Sequence, residues 1–160
     1  MAVSGAYSIN PEFSDHLNSL AGNSQHRACA SRLAAGQQVS VDAADHTMAP
    51  VIWPRDKMVF GFPDVNAIEP GEIVLFRHDD RLVARRVVRK EIRAREDVFV
   101  TRCESGERQD VTVDATQVLG RLLFLERGPL RIPASELLPG WVTRLTTGVT
   151  ERLGRWFRGA

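Results

Sequence analysis

Residues 71–88 read GEIVLFRHDDRLVARRVV, two apolar runs joined by His78, Asp79, Asp80 and Arg81. A polar, Asp-rich turn between two strand-like runs predicts a β-hairpin. Similar runs lie on both sides of it. QQVSVDA (37–43) alternates apolar and polar residues, as a half-buried strand does. KMVFGF (57–62), RLVARRVVRKEIRA (81–94), DVFVTR (97–102), DVTV (110–113) and QVLGRLLFLE (117–126) complete the series, separated by Pro, Gly and Asp. The intervals are too short for helical crossovers, so the strands are expected to pair antiparallel. The fold class is therefore mainly β, built of coiled antiparallel sheets over residues 39–127.

Helical patterns flank this region. Residues 1–38 are rich in Ala, Ser and Asn, with Phe13, Leu17, Leu20, Ala30 and Leu33 at roughly helical spacing. Pro11 suits a helix's first turn and Gly36 its end; the segment is expected to be a short helical, partly disordered appendage. In residues 128–160, Trp141, Leu145, Val149, Leu153 and Trp156 form one stripe. Arg144, Arg152, Arg155 and Arg158 crowd its polar side and C-terminal end, where cations suit the helix dipole. Such an amphipathic helix either docks on the sheets or touches a membrane surface or a partner through residues 141–157.

Composition narrows the function. With 160 residues the chain holds one ordinary domain. A formal net charge of +1 gives no concentrated phosphate-neutralising patch, so nucleic acid is not the expected partner. Cys29 and Cys103 stand far apart with no Cys-x-x-Cys pattern, so neither a metal site nor another cofactor is expected. The N-terminus lacks the apolar core of a signal peptide and no apolar run could span a bilayer. A reduced, cytoplasmic setting is expected, peripheral to a membrane if it meets one.

The chemistry-bearing stretch is DHTMAPVI, residues 45–52. From there onward the order of features resembles the signal peptidase I and LexA-like serine-lysine peptidases, over roughly residues 39–127. That family carries its nucleophile in Gly-x-Ser-Met-x-Pro. Here Met48 and Pro50 match, Asp45 replaces the glycine and Thr47 the serine. The family's Pro-Gly-Asp-Ile-Val is matched by Pro70, Gly71, Glu72, Ile73 and Val74, and its Lys-Arg-Val by Arg85, Arg86 and Val87. Its Gly-Asp-Asn stretch, later Asp and closing Val-Leu-Gly correspond to Cys103, Glu104 and Ser105, Asp110, and Val118, Leu119 and Gly120.

The resemblance makes Thr47 the nucleophile-equivalent and Arg85 the general-base-equivalent. Asp45, His46, Met48 and Pro50 would contact substrate. A hydroxyl needs a base to take its proton, and a guanidinium, protonated above pH 12, cannot serve. Lys57 and Lys90 are the only lysines. Lys90 stands five residues after Arg85, an odd offset that faces it away unless a bulge intervenes. His46 and His78 are the imidazoles nearest the motif. Arg77, Arg81, Arg85, Arg86 and Arg89 are expected to alternate between faces as a solvated surface, and Cys103 to be a small hydrophobe at a strand end.

Three functions follow as expectations. The first is a non-catalytic, peptidase-like protein that binds an extended peptide or protein segment in the former substrate groove. The alternative is an active endopeptidase using Thr47 with a non-standard base. Last comes a LexA-like transcription regulator, for which the first forty residues are too short and weakly patterned.

Overall fold

The computed structural model describes residues 24–106 and 109–139. Eight strands form one antiparallel sheet: β1 (Val39–Asp42), β2 (Lys57–Gly61), β3 (Ile73–His78), β4 (Arg81–Arg93), β5 (Glu96–Arg102), β6 (Val111–Asp114), β7 (Val118–Arg127) and β8 (Leu130–Pro133). Their order is β1-β2-β7-β3-β4-β5-β6, and β8 pairs with the C-terminal half of β7. The mainly β, antiparallel expectation holds.

The two hairpin turns that flank β4 share one backbone conformation. Asp79 and Asp80 have φ of 47° and 58°, and Ala94 and Arg95, between β4 and β5, have 49° and 71°. Two consecutive left-handed residues fit a type I′ turn, whose twist matches that of the strands it joins.

β3 lies at the centre and is buried on both faces. Ile73 and Leu75 enter one core with Met48, Ile52, Met58, Phe60, Leu122 and Leu125, whereas Val74 and Phe76 enter a second with Ile68, Val87, Phe99, Val113 and Val118. Strand alternation sends neighbouring residues to opposite sides, so the unbroken run Ile-Val-Leu-Phe feeds two cores at once.

Helix α1, residues 24–34, closes the first core with Cys29 and Leu33. It ends as the sequence predicts: Gly36 has φ 76°, its N–H donates to Leu33 O at 2.9 Å, and Gln37 N–H donates to Arg32 O at 2.9 Å. These two bonds make a Schellman cap. Gly120 on β7 lets the helix approach, since a Cβ there would stand 3.0 Å from Phe60 Cβ and 3.3 Å from Leu33 Cδ1. The sheet also continues past residue 127 through β8, followed by a 3₁₀ turn over Ala134–Leu137. The expected helix beginning at Pro11 and the Trp141–Trp156 stripe lie outside the described residues. Among the described residues no helix is long and apolar enough to cross a membrane.

His26 on α1 is buried beside the β3–β4 hairpin, and its Nδ1 has no hydrogen-bond partner among the described residues. Burial first, and the Arg77 charge second, push its pKa below the ordinary 6.5, against the opposing Arg81 backbone bond and the Asp80 charge. A lowered folded pKa means that the unfolded chain binds the proton more readily. Stability is therefore full above pH 6.5 and falls as the pH drops below it. Melting curves between pH 7.5 and 5.5 are expected to shift downward with acid, and His26→Phe to remove that part of the shift; an unchanged slope in the variant overturns the assignment.

Candidate functional site

A narrow cleft of about 90 Å³ opens between two strand edges. Val41 to Asp45 line one wall, Leu82 to Arg85 the other, with Met48, Ile52, Met58 and Leu75 below and Thr47 and Cys103 completing the lining. Both walls lack a strand partner on the cleft side among the described residues. β1 pairs only with β2, and β4 begins pairing with β5 at Arg86, which leaves Leu82–Arg85 bonded to β3 alone. Ala43 N–H donates to Asp56 O at 2.9 Å, and its own carbonyl accepts from Arg55 N–H at 3.1 Å. Both bonds run toward the β2 side, so in extended chain the backbone groups of Asp42 and Ala44 face the open edge.

Thr47 is held by its own turn. Asp45 Oδ1 accepts the Thr47 N–H at 2.9 Å and the Thr47 hydroxyl at 2.6 Å, and Thr47 O accepts from Ser105 N–H at 3.1 Å. An Asp two residues upstream that caps the backbone in this way is an Asx-type turn. The hydroxyl proton therefore points at a carboxylate.

Arg85 lines the same cleft, 3% exposed, and its Nη1 donates to Gln109 O at 3.0 Å. The fold thus brings together Thr47, Arg85, Asp45 and Met48 from distant parts of the sequence. Pro50, next to Ala49 across a cis peptide bond, is exposed and does not line the cleft. His46 packs edge-on against Trp53, ring centroids 5.9 Å apart, and does not line it either.

The bases weighed from sequence stand elsewhere. Lys57 is exposed beside Met58, which faces the cleft, so its side chain takes the opposite side of β2. A bulge between Val87 and Arg89 does intervene and puts Lys90, paired with Phe99, on the Val87 face. Its ammonium is nonetheless occupied by Asp97 at 3.0 Å, Asn66 O at 3.1 Å and the Phe99 ring. His78 lies against Phe76 and Asp79 at the hairpin turn. Among the described residues no lysine or histidine lines the cleft, and no cluster of metal-binding side chains occurs.

Three features were not expected. Arg85 and Arg86 do point to opposite faces, but both are buried rather than solvated. Arg86 bonds Gly71 O through Nη1 at 2.6 Å and Glu104 through Nε. Cys103 is buried, as its hydrophobic character implies, yet it lines the cleft as well. The loop carrying Thr47 is fastened by a pair that no local pattern announces, Asp56 with Arg127. Arg127 grips the carboxylate with Nε and Nη2, at 2.6 to 3.2 Å, and adds a bond to Val51 O at 3.1 Å. Asp56 also accepts the Trp53 N–H at 2.8 Å.

No family profile and no curated protein matches this chain.

The bond from Arg127 holds the Asp56 carboxyl below its ordinary pKa, against the opposing effect of burial. A depressed carboxyl pKa contributes stability that is present above pH 3.8 and lost as the pH falls through the folded value. Asp56→Asn is expected to cost about 2 kcal/mol at pH 7, the scale of a charged hydrogen bond whose arginine is partly screened by solvent, and to flatten the acid limb of the stability profile. Urea unfolding at pH 7 and below pH 4 checks both.

Proposed function

We propose that the protein is a peptidase-like binding domain of the signal peptidase and LexA type. It takes an extended peptide, or an extended segment of a partner protein, between β1 and β4 without cleaving it. One observation carries this reading: among the described residues, two unpaired strand edges face each other across a cleft that holds Thr47 and Arg85 and no imidazole or amine side chain. A strand laid there would gain main-chain hydrogen bonds on both sides, from Asp42 and Ala44 on one wall and from the open half of β4 on the other. The cavity below is smaller than the roughly 150 Å³ that admits a benzene ring, so it favours a short ligand side chain.

Hydrolysis lacks its second half. A guanidinium donates hydrogen bonds but accepts no proton. Asp45 is the group placed to receive the Thr47 proton, but a carboxylate is a weak base toward a hydroxyl, and the same oxygen already holds the Thr47 N–H. A cytoplasmic setting, expected from the cysteine pattern, and membrane-surface contact through residues 141–157, expected from the sequence stripe, belong to the same proposal.

Incubation with a randomised peptide library is expected to yield bound sequences and no cleavage products, with binding kept in Thr47→Ala. Turnover that disappears in Thr47→Ala would replace this reading with an active endopeptidase. Ala44→Pro removes one N–H from the open edge and is expected to weaken a selected peptide about tenfold, the loss of about one edge hydrogen bond. Equal affinity in a variant that melts like the parent would show that the peptide binds elsewhere.

A further inference from the structure

A second, more apolar cavity lies away from the Thr47 cleft, where β3 and β8 part company along β7. β3 last pairs at Val74 with Arg121, and β8 first pairs at Pro133 with Phe124, which leaves Leu122 and Leu123 between them. The gap opens into a space of about 470 Å³ walled by Ile73, Leu122, Leu123, Pro133, Ala134 and Leu138, a size typical of small-molecule sites. One end is charged. Arg86, whose side chain is 7% exposed, lines the cavity with Nη1 on Gly71 O and Nε on Glu104. Its Nη2 is buried with no partner among the described residues. Arg121 stands beside it, 35% exposed and 3.5 Å from Glu72. Glu69 and Glu72 also line this end; Glu72 is engaged there, accepting the Glu69 N–H at 2.8 Å while facing Arg121. The donor left over is the Arg86 Nη2, and a buried guanidinium nitrogen is completed best by an anionic oxygen.

We propose that this cavity binds an aliphatic carboxylate, its chain along Leu122, Leu123 and Leu138 and its head on Arg86, with Arg121 at the mouth. The site goes beyond the peptide cleft and stands or falls separately from it.

Calorimetric titration of the full chain with decanoate, below its micelle concentration, is the test. Saturable one-to-one binding is expected, with no detectable binding of acetate and at least tenfold weaker binding of decanol. Arg86 is built into the core, so the variants are placed at the rim. Arg121→Gln is expected to weaken decanoate several-fold, and Ser135→Trp, at an exposed position, to block it. Decanol binding as tightly as decanoate would reduce the cavity to an apolar groove without anion recognition. No binding, or unchanged binding in Ser135→Trp, would overturn the site.

Discussion

The structure depends on β3 being buried on both faces. A strand that feeds two cores fixes the register of its neighbours, because a one-residue slip would exchange every apolar side chain between two filled spaces. β4, paired with β3 from Ile73↔Arg86 to His78↔Arg81, inherits that register. It also inherits the burial. Val83 and Val87 pack toward the second core, and Leu82 and Ala84 toward the first. Two consecutive arginines on such a strand cannot both reach water in the usual way. Each is carried inward on its own side and finds backbone carbonyls there, Gln109 O for Arg85 and Gly71 O for Arg86. Occupied donors offset most of the cost of burying a guanidinium, so these carbonyls belong to the fold as much as the apolar contacts do, and the Arg86 Nη2 is the donor left without a partner among the described residues.

The same principle organises the loop from Asp45 to Asp56. It has little regular structure, so side chains replace the missing ladder bonds. Asp45 caps Thr47, Asp56 caps Trp53, and Arg127 reaches from the end of β7 to bind both Asp56 and Val51 O. Met48 and Ile52, inserted into the first core, supply the apolar anchor. Thr47 thus rests on a frame fixed at both ends, and that frame sets the width of the cleft.

Much of the fold was legible because it rests on short-range chemistry. The Asp79–Asp80 pair announced its hairpin, Gly36 its helix end, and the brief intervals between runs their antiparallel pairing. Thr47 and Arg85 could be singled out by resemblance, and they line one cleft. What could not be read is long-range. Asp56 and Arg127 are 71 residues apart, and nothing in either neighbourhood marks the other. The burial of Arg85 and Arg86 follows from the sheet being covered on both faces, a property of its neighbours rather than of the strand. The bulge after Val87 reversed the simple alternation that would have faced Lys90 away, and only the pairing with β5 reveals it.

The remaining question is what a guanidinium in the lining of this cleft can do that an amine could not. A buried amine can shed its proton to escape desolvation, and in doing so becomes a base; a guanidinium cannot take that route. The charge at Arg85 therefore persists, and its only outlet is to donate. An extended chain entering the cleft offers carbonyl oxygens, the acceptors that Arg85 already uses at Gln109 O. A group that cannot abstract a proton is still a strong, directional donor for main-chain acceptors. On the reading proposed above, the two open strand edges and the fixed cation hold a peptide backbone, and the chemistry ends at the hydrogen bond.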